Sequence, residues 1–205
     1  MFRTNFFAYL LLTFLGTSLA GCATVQPSPA PSGKQNMAGL SGRLNPEAET
    51  AYAKARVLWK QTLSSVSAVE LCTDPEQAIA LLDKAIALEP GYAEALARRG
   101  LAKSELGERE EAFDDLTAAI RLHPSAETYA YRALVSIRAN QTRAAQSDLE
   151  YSLKKDPKQH LAKNFSGILA LTLDDKPQAC SRFKEGCSSG DCSFIDAART
   201  DKLCP

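Results

Sequence analysis

The feature that most constrains the fold is a pattern of small and apolar residues that recurs every 33 to 34 residues. In each complete copy, alanine follows the first position by 12 residues, leucine comes 4 residues later, and proline comes 8 residues after the leucine. Three segments carry the full pattern: Val66-Ala78-Leu82-Pro90, Gly100-Ala112-Leu116-Pro124 and Ala133-Ala145-Leu149-Pro157. A fourth segment carries the first three positions: Gly167-Ala179-Phe183. Self-similarity at this period is typical of stacked structural repeats.

This pattern resembles the tetratricopeptide repeat, a helix-turn-helix unit of about 34 residues. The resemblance covers most of residues 46–190 and implies an all-α solenoid of three to four repeats. It implies that Gly100 and its equivalents let helix A cross helix B closely. The tryptophan that the family carries early in helix A is missing, and other residues stand there: Leu96, Tyr129 and Lys163. A generic helical bundle is the alternative.

The first copy of the pattern is the least regular one. Serines interrupt its expected helix A: Ser64, Ser65 and Ser67. Residues 46–68 could instead form one longer amphipathic helix that caps the stack. The following helix has a clearer start, because Asp74 precedes Pro75 and Gln77 completes a capping box.

The resemblance also implies a concave surface that is lined by helix-A side chains. The second repeat contributes Glu94, Ala97, Leu101, Ser104 and Glu105; the third contributes Glu127, Ala130, Leu134, Ile137 and Arg138; the fourth contributes Leu161, Asn164, Ile168, Leu171 and Thr172. Together they predict a small, apolar floor with an acidic edge, suited to an amphipathic helix or an extended apolar segment. The alternative is that its apolar members pack against neighbouring helices and bind nothing.

Four cysteines lie close together near the C-terminus: Cys180, Cys187, Cys192 and Cys204. Their spacings of 7, 5 and 12 residues include no Cys-x-x-Cys, so neither a zinc knuckle nor a thioredoxin-like dithiol is indicated. In an oxidising compartment they most simply form two disulfides. Three pairings are possible, and a short final helix that folds back favours Cys187–Cys192 and Cys180–Cys204. Residues 191–205 would then form a capping helix that is stapled to the repeat domain of residues 45–190, while Cys72 stays unpaired.

The N-terminal residues predict export. Arg3 is the only charge before Lys34, and an apolar run follows it over residues 6–15, as in a signal peptide. The sequence Leu19-Ala20-Gly21-Cys22 resembles the bacterial lipobox, which implies removal of residues 1–21 and a lipid on Cys22 that anchors the chain to the membrane. Ala23 in place of aspartate implies the periplasmic face of the outer membrane. The alternative is an ordinary secretory signal or a membrane-anchor helix with a chance cysteine.

Residues 22–44 are rich in Pro, Ser and Gly and predict a flexible tether. The 24 basic and 24 acidic residues of the whole chain balance, which argues against a nucleic-acid partner. No phosphate-binding loop, nucleophile elbow or His-Glu-x-x-His motif is present, so we expect neither catalysis nor a cofactor. The sequence therefore predicts a lipid-anchored scaffold or adaptor that binds a protein or peptide partner in the cell envelope, with a role in assembly. Two alternatives remain, an envelope thiol-redox or other enzyme that uses the cysteines and a structural envelope protein without a defined client. The partner and the oligomeric state stay open.

Overall fold

The computed structural model describes residues 44–205. The predicted signal peptide, Cys22 and all of the predicted tether except Leu44 lie outside the described residues. Within residues 44–205 nine α-helices follow one another: α1 (Pro46–Arg56), α2 (Pro75–Leu88), α3 (Ala93–Glu105), α4 (Arg109–Leu122), α5 (Ala126–Arg138), α6 (Thr142–Lys155), α7 (His160–Thr172), α8 (Lys176–Ser188) and α9 (Ser193–Thr200). None of them combines the length and the apolar character that a bilayer crossing requires.

The helices form four successive pairs, α1 with α2, α3 with α4, α5 with α6 and α7 with α8, and α9 packs on α8. The first helices of neighbouring pairs also contact each other, α3 with α5 and α5 with α7. No contact of similar extent joins α4 to α6 or α6 to α8 among the described helices. The stack therefore curves with α3, α5 and α7 on its inner side, which we call the concave face. This confirms the predicted all-α, tetratricopeptide-like solenoid.

The helices begin where capping residues stand in the sequence. Five N-cap side chains accept a hydrogen bond from a backbone N–H in the first helical turn: Asn45, Asp74, Ser125, Gln159 and Asp175. Such caps satisfy N–H groups that have no partner inside the helix. Gly107, with a φ of 84°, forms the turn between α3 and α4, a conformation that glycine adopts without steric cost.

The predicted close helix crossings are present. A Cβ atom on Gly100 would lie 2.8 Å from the carbonyl oxygen of Ala112 and 2.9 Å from Cγ of Leu116. A Cβ atom on Gly167 would run into the ring of Phe183. Only glycine lets the two helices of these repeats approach so closely.

Two ion pairs recur with the repeat and were not predicted. Arg99 donates to both carboxylate oxygens of Asp115 at 2.5 and 2.7 Å, and Arg132 donates to both of Asp148 at 2.7 and 2.8 Å. Each pair spans 16 residues and joins the first helix of a repeat to its second. Bidentate geometry fixes orientation as well as distance, so these pairs set how the two helices of a repeat face each other. The sequence could have indicated these pairs, because an arginine and an aspartate lie 16 residues apart in two consecutive repeats.

The first repeat differs from both predictions for it. Helix α1 ends at Arg56, and residues 57–74 form an irregular segment, the α1–α2 loop. Val66 lies in this loop and not in a helix, so assigning it to helix A was wrong, as was a single helix over residues 46–68. Instead α1 takes the place of helix A and packs its alanines against α2: Ala48, Ala51 and Ala55. Beyond Arg56 the N–H of Lys60 and the carbonyl of Leu58 pair with the backbone of Leu71 and Thr73, so they do not continue the helix.

The last helix is held by two disulfides. The long disulfide joins Cys180 to Cys204 with a Cα–Cα distance of 5.6 Å, and the short disulfide joins Cys187 to Cys192 at 3.9 Å. This is the pairing that the sequence favoured. Phe194 of α9 is buried between Phe165 and Phe183, so the capping helix closes the apolar end of the stack, as a terminal repeat requires.

Candidate functional site

The concave face is covered by the α1–α2 loop. Val66 is 3% exposed and belongs to the same apolar core as Leu134 and Ile168 of the concave face. Four further loop side chains pack partly buried against this core: Trp59, Leu63, Val69 and Leu71. The predicted binding groove thus holds a segment of the chain itself.

The loop is closed at its base by antiparallel backbone pairing. The N–H of Lys60 donates to the carbonyl of Leu71 at 2.9 Å, and the N–H of Thr73 donates to the carbonyl of Leu58 at 2.7 Å. Lys60 also forms an ion pair with Glu70 at 2.8 Å, and this hydrogen bond lowers the pKa of Glu70. Residues 61–70 of the α1–α2 loop therefore extend from a short two-stranded antiparallel base.

Two charged side chains hold the loop backbone on the concave face. The carboxylate of Glu105 accepts the N–H groups of Leu71 at 2.7 Å and Cys72 at 3.1 Å. The guanidinium of Arg138 donates to the carbonyl of Val69 at 2.7 Å and lies 3.5 Å from Glu105. Burial raises the pKa of Glu105 and lowers that of Arg138, while the attraction between the two charges opposes both shifts. Each charge thus partly offsets the cost of burying the other.

The tip and the base of the loop have further anchors. At the tip, the Oγ of Ser65 and the N–H of Val66 donate to the carboxylate of Asp201 at 3.0 and 3.1 Å. At the base, the Arg98 guanidinium lies over the Trp59 ring, 5.0 Å from its centroid. The loop therefore connects the first repeat to the C-terminal cap across the concave face.

The predicted site residues fall into three groups. Those of the expected floor are buried within the protein and not open to solvent: Ala97, Leu101, Ala130, Leu134, Ile137 and Ile168. Glu94 is exposed, and Glu127 and Leu171 are half-buried. The expectation of an open floor was wrong, because the pattern of helix-A residues cannot show that a distant loop covers them.

Asn164 belongs to the cap and not to a groove. It is fully buried, its Nδ2 donates to the carboxylate of Asp191 at 2.9 Å, and its side chain fills the space over Gly186. Asp191 in turn accepts the N–H of Ser193 at 3.0 Å, at the start of α9. This contact fixes the capping helix against α7, so Asn164 has a structural role here.

One part of the concave face remains open beside the loop. A cleft of about 660 Å³ lies between residues 66–70 of the loop and helices α5 and α7. Its apolar wall and its rim are formed by Leu134, Ile137, Arg138, Ile168, Leu171 and Lys176. We call this space the cleft.

The cysteines offer little for thiol chemistry. Cys72 is 4% exposed, and burial raises the pKa of its thiol, which keeps it protonated at neutral pH. The four C-terminal cysteines are paired in the two disulfides. No group of three or more His, Cys, Asp or Glu side chains suited to a metal ion occurs in the part of the chain that the structure describes.

Comparison with known proteins agrees with the repeat architecture. No protein-family model matches the chain. Human tetratricopeptide repeat protein 13 is 30% identical over 149 residues, which is 73% of this chain and 16% of that protein. This chain thus spans only about a sixth of the length of that relative.

Solved structures also share the fold. Among them, the APC/C hetero-tetramer Cut9-Hcn1 aligns with a TM-score of 0.55 and 16% identity, over 77% of this chain and 34% of the other. MamA from Desulfovibrio magneticus RS-1 aligns with a TM-score of 0.51 and 14% identity, over 78% and 95%. Together with the human relative, these similarities support the assignment of the helix pairs as tetratricopeptide repeats.

Proposed function

We propose that this chain is a lipid-anchored adaptor of the bacterial cell envelope that binds a protein partner along its concave face. One observation carries the proposal: the concave face already holds an extended stretch of polypeptide, through backbone hydrogen bonds to Glu105 and Arg138 and through buried aliphatic side chains. A surface built in this way has the chemistry to hold a segment of another protein. The cleft beside the loop adds apolar surface that is open to a partner.

The comparisons add support at the level of the fold. The Cut9–Hcn1 structure is an assembly of two different proteins, which is consistent with a repeat solenoid that serves as a scaffold. Since repeat solenoids present extended concave surfaces for binding, the proposed role needs no catalytic residue.

The location is proposed from the N-terminal sequence. The apolar run, the lipobox-like Leu19-Ala20-Gly21-Cys22 and the proline-rich tether support a lipid on Cys22, with Ala23 favouring the outer membrane. The two disulfides are consistent with an oxidising compartment such as the periplasm. Labelling cells with radioactive palmitate tests the anchor. Wild type should incorporate label and fractionate with membranes, Cys22→Ala should do neither, and equal labelling of both would refute the anchor.

Partner binding is best tested at the rim of the cleft. Leu134 is only 1% exposed, so a charge there would disrupt the core as well as any interface. Leu171 is half-buried at the cleft, and Leu173, two residues further on, is 58% exposed and provides a matched control. After cross-linking in cells and purification in detergent, Leu171→Glu should recover less of a specific partner than wild type, while Leu173→Glu should recover the same amount. Equal recovery of every partner by all three proteins would refute binding at the cleft, and recovery of none would favour a structural protein without a client.

The thiol-redox alternative receives no support from the site. A redox-active thiol is normally exposed and has a lowered pKa, whereas Cys72 is buried and its pKa is raised.

A further inference from the structure

We infer that the α1–α2 loop is a displaceable internal ligand, and that the partner of the concave face inserts an extended segment with aliphatic or aromatic side chains at alternate positions in its place. This inference rests on the proposed adaptor function and specifies the chemistry of the partner. It follows from how the loop is bound, from what it leaves unfilled and from where it is anchored.

The loop is recognised through groups that every polypeptide has. Glu105 accepts two backbone N–H groups, and Arg138 donates to one backbone carbonyl. None of these three hydrogen bonds involves a side chain of the loop. Another segment in extended conformation can make the same bonds, so nothing in this polar contact reserves the site for the loop.

Over residues 69–71 the side chains of the loop alternate as they do in a strand. Val69 and Leu71 pack against the core of the concave face, whereas Glu70 between them points outward with 66% of its side chain exposed. Alternation of this kind puts every second residue on one face of an extended chain. A competing segment therefore needs apolar residues two positions apart and tolerates a polar residue between them.

The loop fills the concave face incompletely. Val66 and Val69 line the cleft of about 660 Å³, which is left open beside them. A segment that presents leucine or phenylalanine in place of Val69 would bury more apolar surface in the cleft. Burial of this additional apolar surface would strengthen its binding relative to the loop. The site can therefore bind such a segment more tightly than it binds the loop, as displacement of the loop by a partner requires.

The polar anchors of the loop lie at three places. Asp201 holds the tip, Glu105 and Arg138 hold the backbone of residues 69–72, and two backbone hydrogen bonds close the base. None of these contacts is a hydrogen bond within a helix, so opening of residues 61–72 needs no change in any of the nine helices of the described chain.

The base of the loop also allows it to be removed cleanly. The N–H of Leu71 donates to Glu105, so residues 71 and 72 must be removed to free this carboxylate. The N–H of Thr73 donates to the carbonyl of Leu58, as across a two-residue turn, so Asn-Gly can join Leu58 to Thr73 in place of residues 59–72. We call this protein the loop-shortened variant. Asp201→Ala removes the tip anchor alone, and Asp196→Ala is its control, since Asp196 is an exposed carboxylate on the same C-terminal helix.

The test is binding of a fluorescent peptide with the sequence of residues 61–72, in which serine replaces Cys72, to the full chain and its variants in detergent. The loop-shortened variant should bind the peptide at least tenfold more tightly than wild type, because only a fraction of wild type has an open site. Asp201→Ala should lie between these two, and Asp196→Ala should equal wild type. A Val69→Phe version of the peptide should bind the loop-shortened variant at least fivefold more tightly than the original peptide.

Several results would overturn the inference. A loop-shortened variant that keeps its helical circular dichroism but binds no peptide would show that the loop is a permanent part of the core. Equal affinity of wild type and the loop-shortened variant would show binding elsewhere. Should the loop-shortened variant not fold, hydrogen exchange decides: faster exchange of the Leu71 and Cys72 amides in Asp201→Ala than in Asp196→Ala supports local opening, and exchange only through global unfolding refutes it.

The outcomes for the adaptor proposal are separate. If wild type and the loop-shortened variant recover the same partner in equal amounts from cells, displacement is refuted and the adaptor stands. If neither recovers a partner, the adaptor proposal fails, while the peptide affinities still decide whether the loop exchanges.

Discussion

Replacement of Glu105 by alanine is the sharpest single test of how the loop is held. Its carboxylate accepts the amides of Leu71 and Cys72 and faces the guanidinium of Arg138. Hydrogen bonds to charged groups contribute about 1.5–3 kcal/mol each. The burial that raises the pKa of Glu105 also penalises its charged form, so we take the lower end for both bonds. Glu105→Ala should then weaken loop closure by about 3 kcal/mol.

Amide hydrogen exchange measures this effect where it occurs. A loss of about 3 kcal/mol corresponds to about a hundredfold faster exchange of the Leu71 and Cys72 amides. Glu105→Gln keeps one acceptor oxygen without the charge and should accelerate exchange by about tenfold, a loss of about 1.4 kcal/mol. Glu94→Ala, which changes an exposed residue on the same helix, should leave exchange within about twofold of wild type.

The result that refutes this reasoning is specific. If Glu105→Ala leaves both amides as protected as in wild type, the carboxylate does not hold the loop. If it lowers the protection of all nine helices of residues 44–205 by the same factor, the loop and the solenoid open as one unit, and the loop cannot leave alone.

Three further predictions concern the solenoid and its cap. Gly167→Ala should lower the free energy of urea unfolding by about 2 kcal/mol, because the added Cβ atom meets the Phe183 ring. Gly91→Ala is the control and should change this free energy by less than about 1 kcal/mol, because no atom lies within 4 Å of its added Cβ. Equal effects of the two substitutions would contradict the close helix crossing at Gly167. Replacing both cysteines of the long disulfide by alanine should lower the free energy of urea unfolding by about 3.5 kcal/mol, and the same change in the short disulfide should lower it by about 2 kcal/mol, because the two bonds join cysteines 24 and 5 residues apart. A larger loss from the short disulfide would contradict this loop-length argument. The unreduced full chain in urea should show one thiol by titration, that of Cys72; a second would contradict the proposed lipid on Cys22, and three or more would contradict the disulfides.

The repeats could be predicted from the sequence because each position in the pattern has one steric demand. Gly100 and Gly167 lie where a Cβ atom would collide with the partner helix, so the spacing itself carries the architecture. The disulfide pairing was accessible for a similar reason, since a short helix returning on α8 brings only certain cysteines together. Spacing between residues of neighbouring helices can therefore be recognised in a single sequence.

The state of the concave face was not predictable in the same way. Val66 matched the repeat spacing by coincidence, although it lies in a loop that contacts Asp201, 135 residues away. The resemblance to the tetratricopeptide repeat implies that Leu134 and Ile168 face inward, but an inward-facing residue can meet solvent, a partner or another part of the same chain. Only the contacts between distant segments distinguish these cases. Glu105 and Arg138 were correctly placed on this face, while their role as backbone-binding residues depended on the loop.

The contact between the loop tip and Asp201 has a consequence for the order in which the chain matures. Because a chain is synthesised from its N-terminus, the loop is made long before its last anchor, which lies 135 residues after Val66. Asp201 also lies inside the segment that the long disulfide closes. Attachment of the loop tip to Asp201 therefore comes after synthesis of all four helix pairs and of α9. A chain that is truncated before Asp201 lacks this contact, so the loop covers the concave face less firmly and more apolar surface is exposed than in the finished chain.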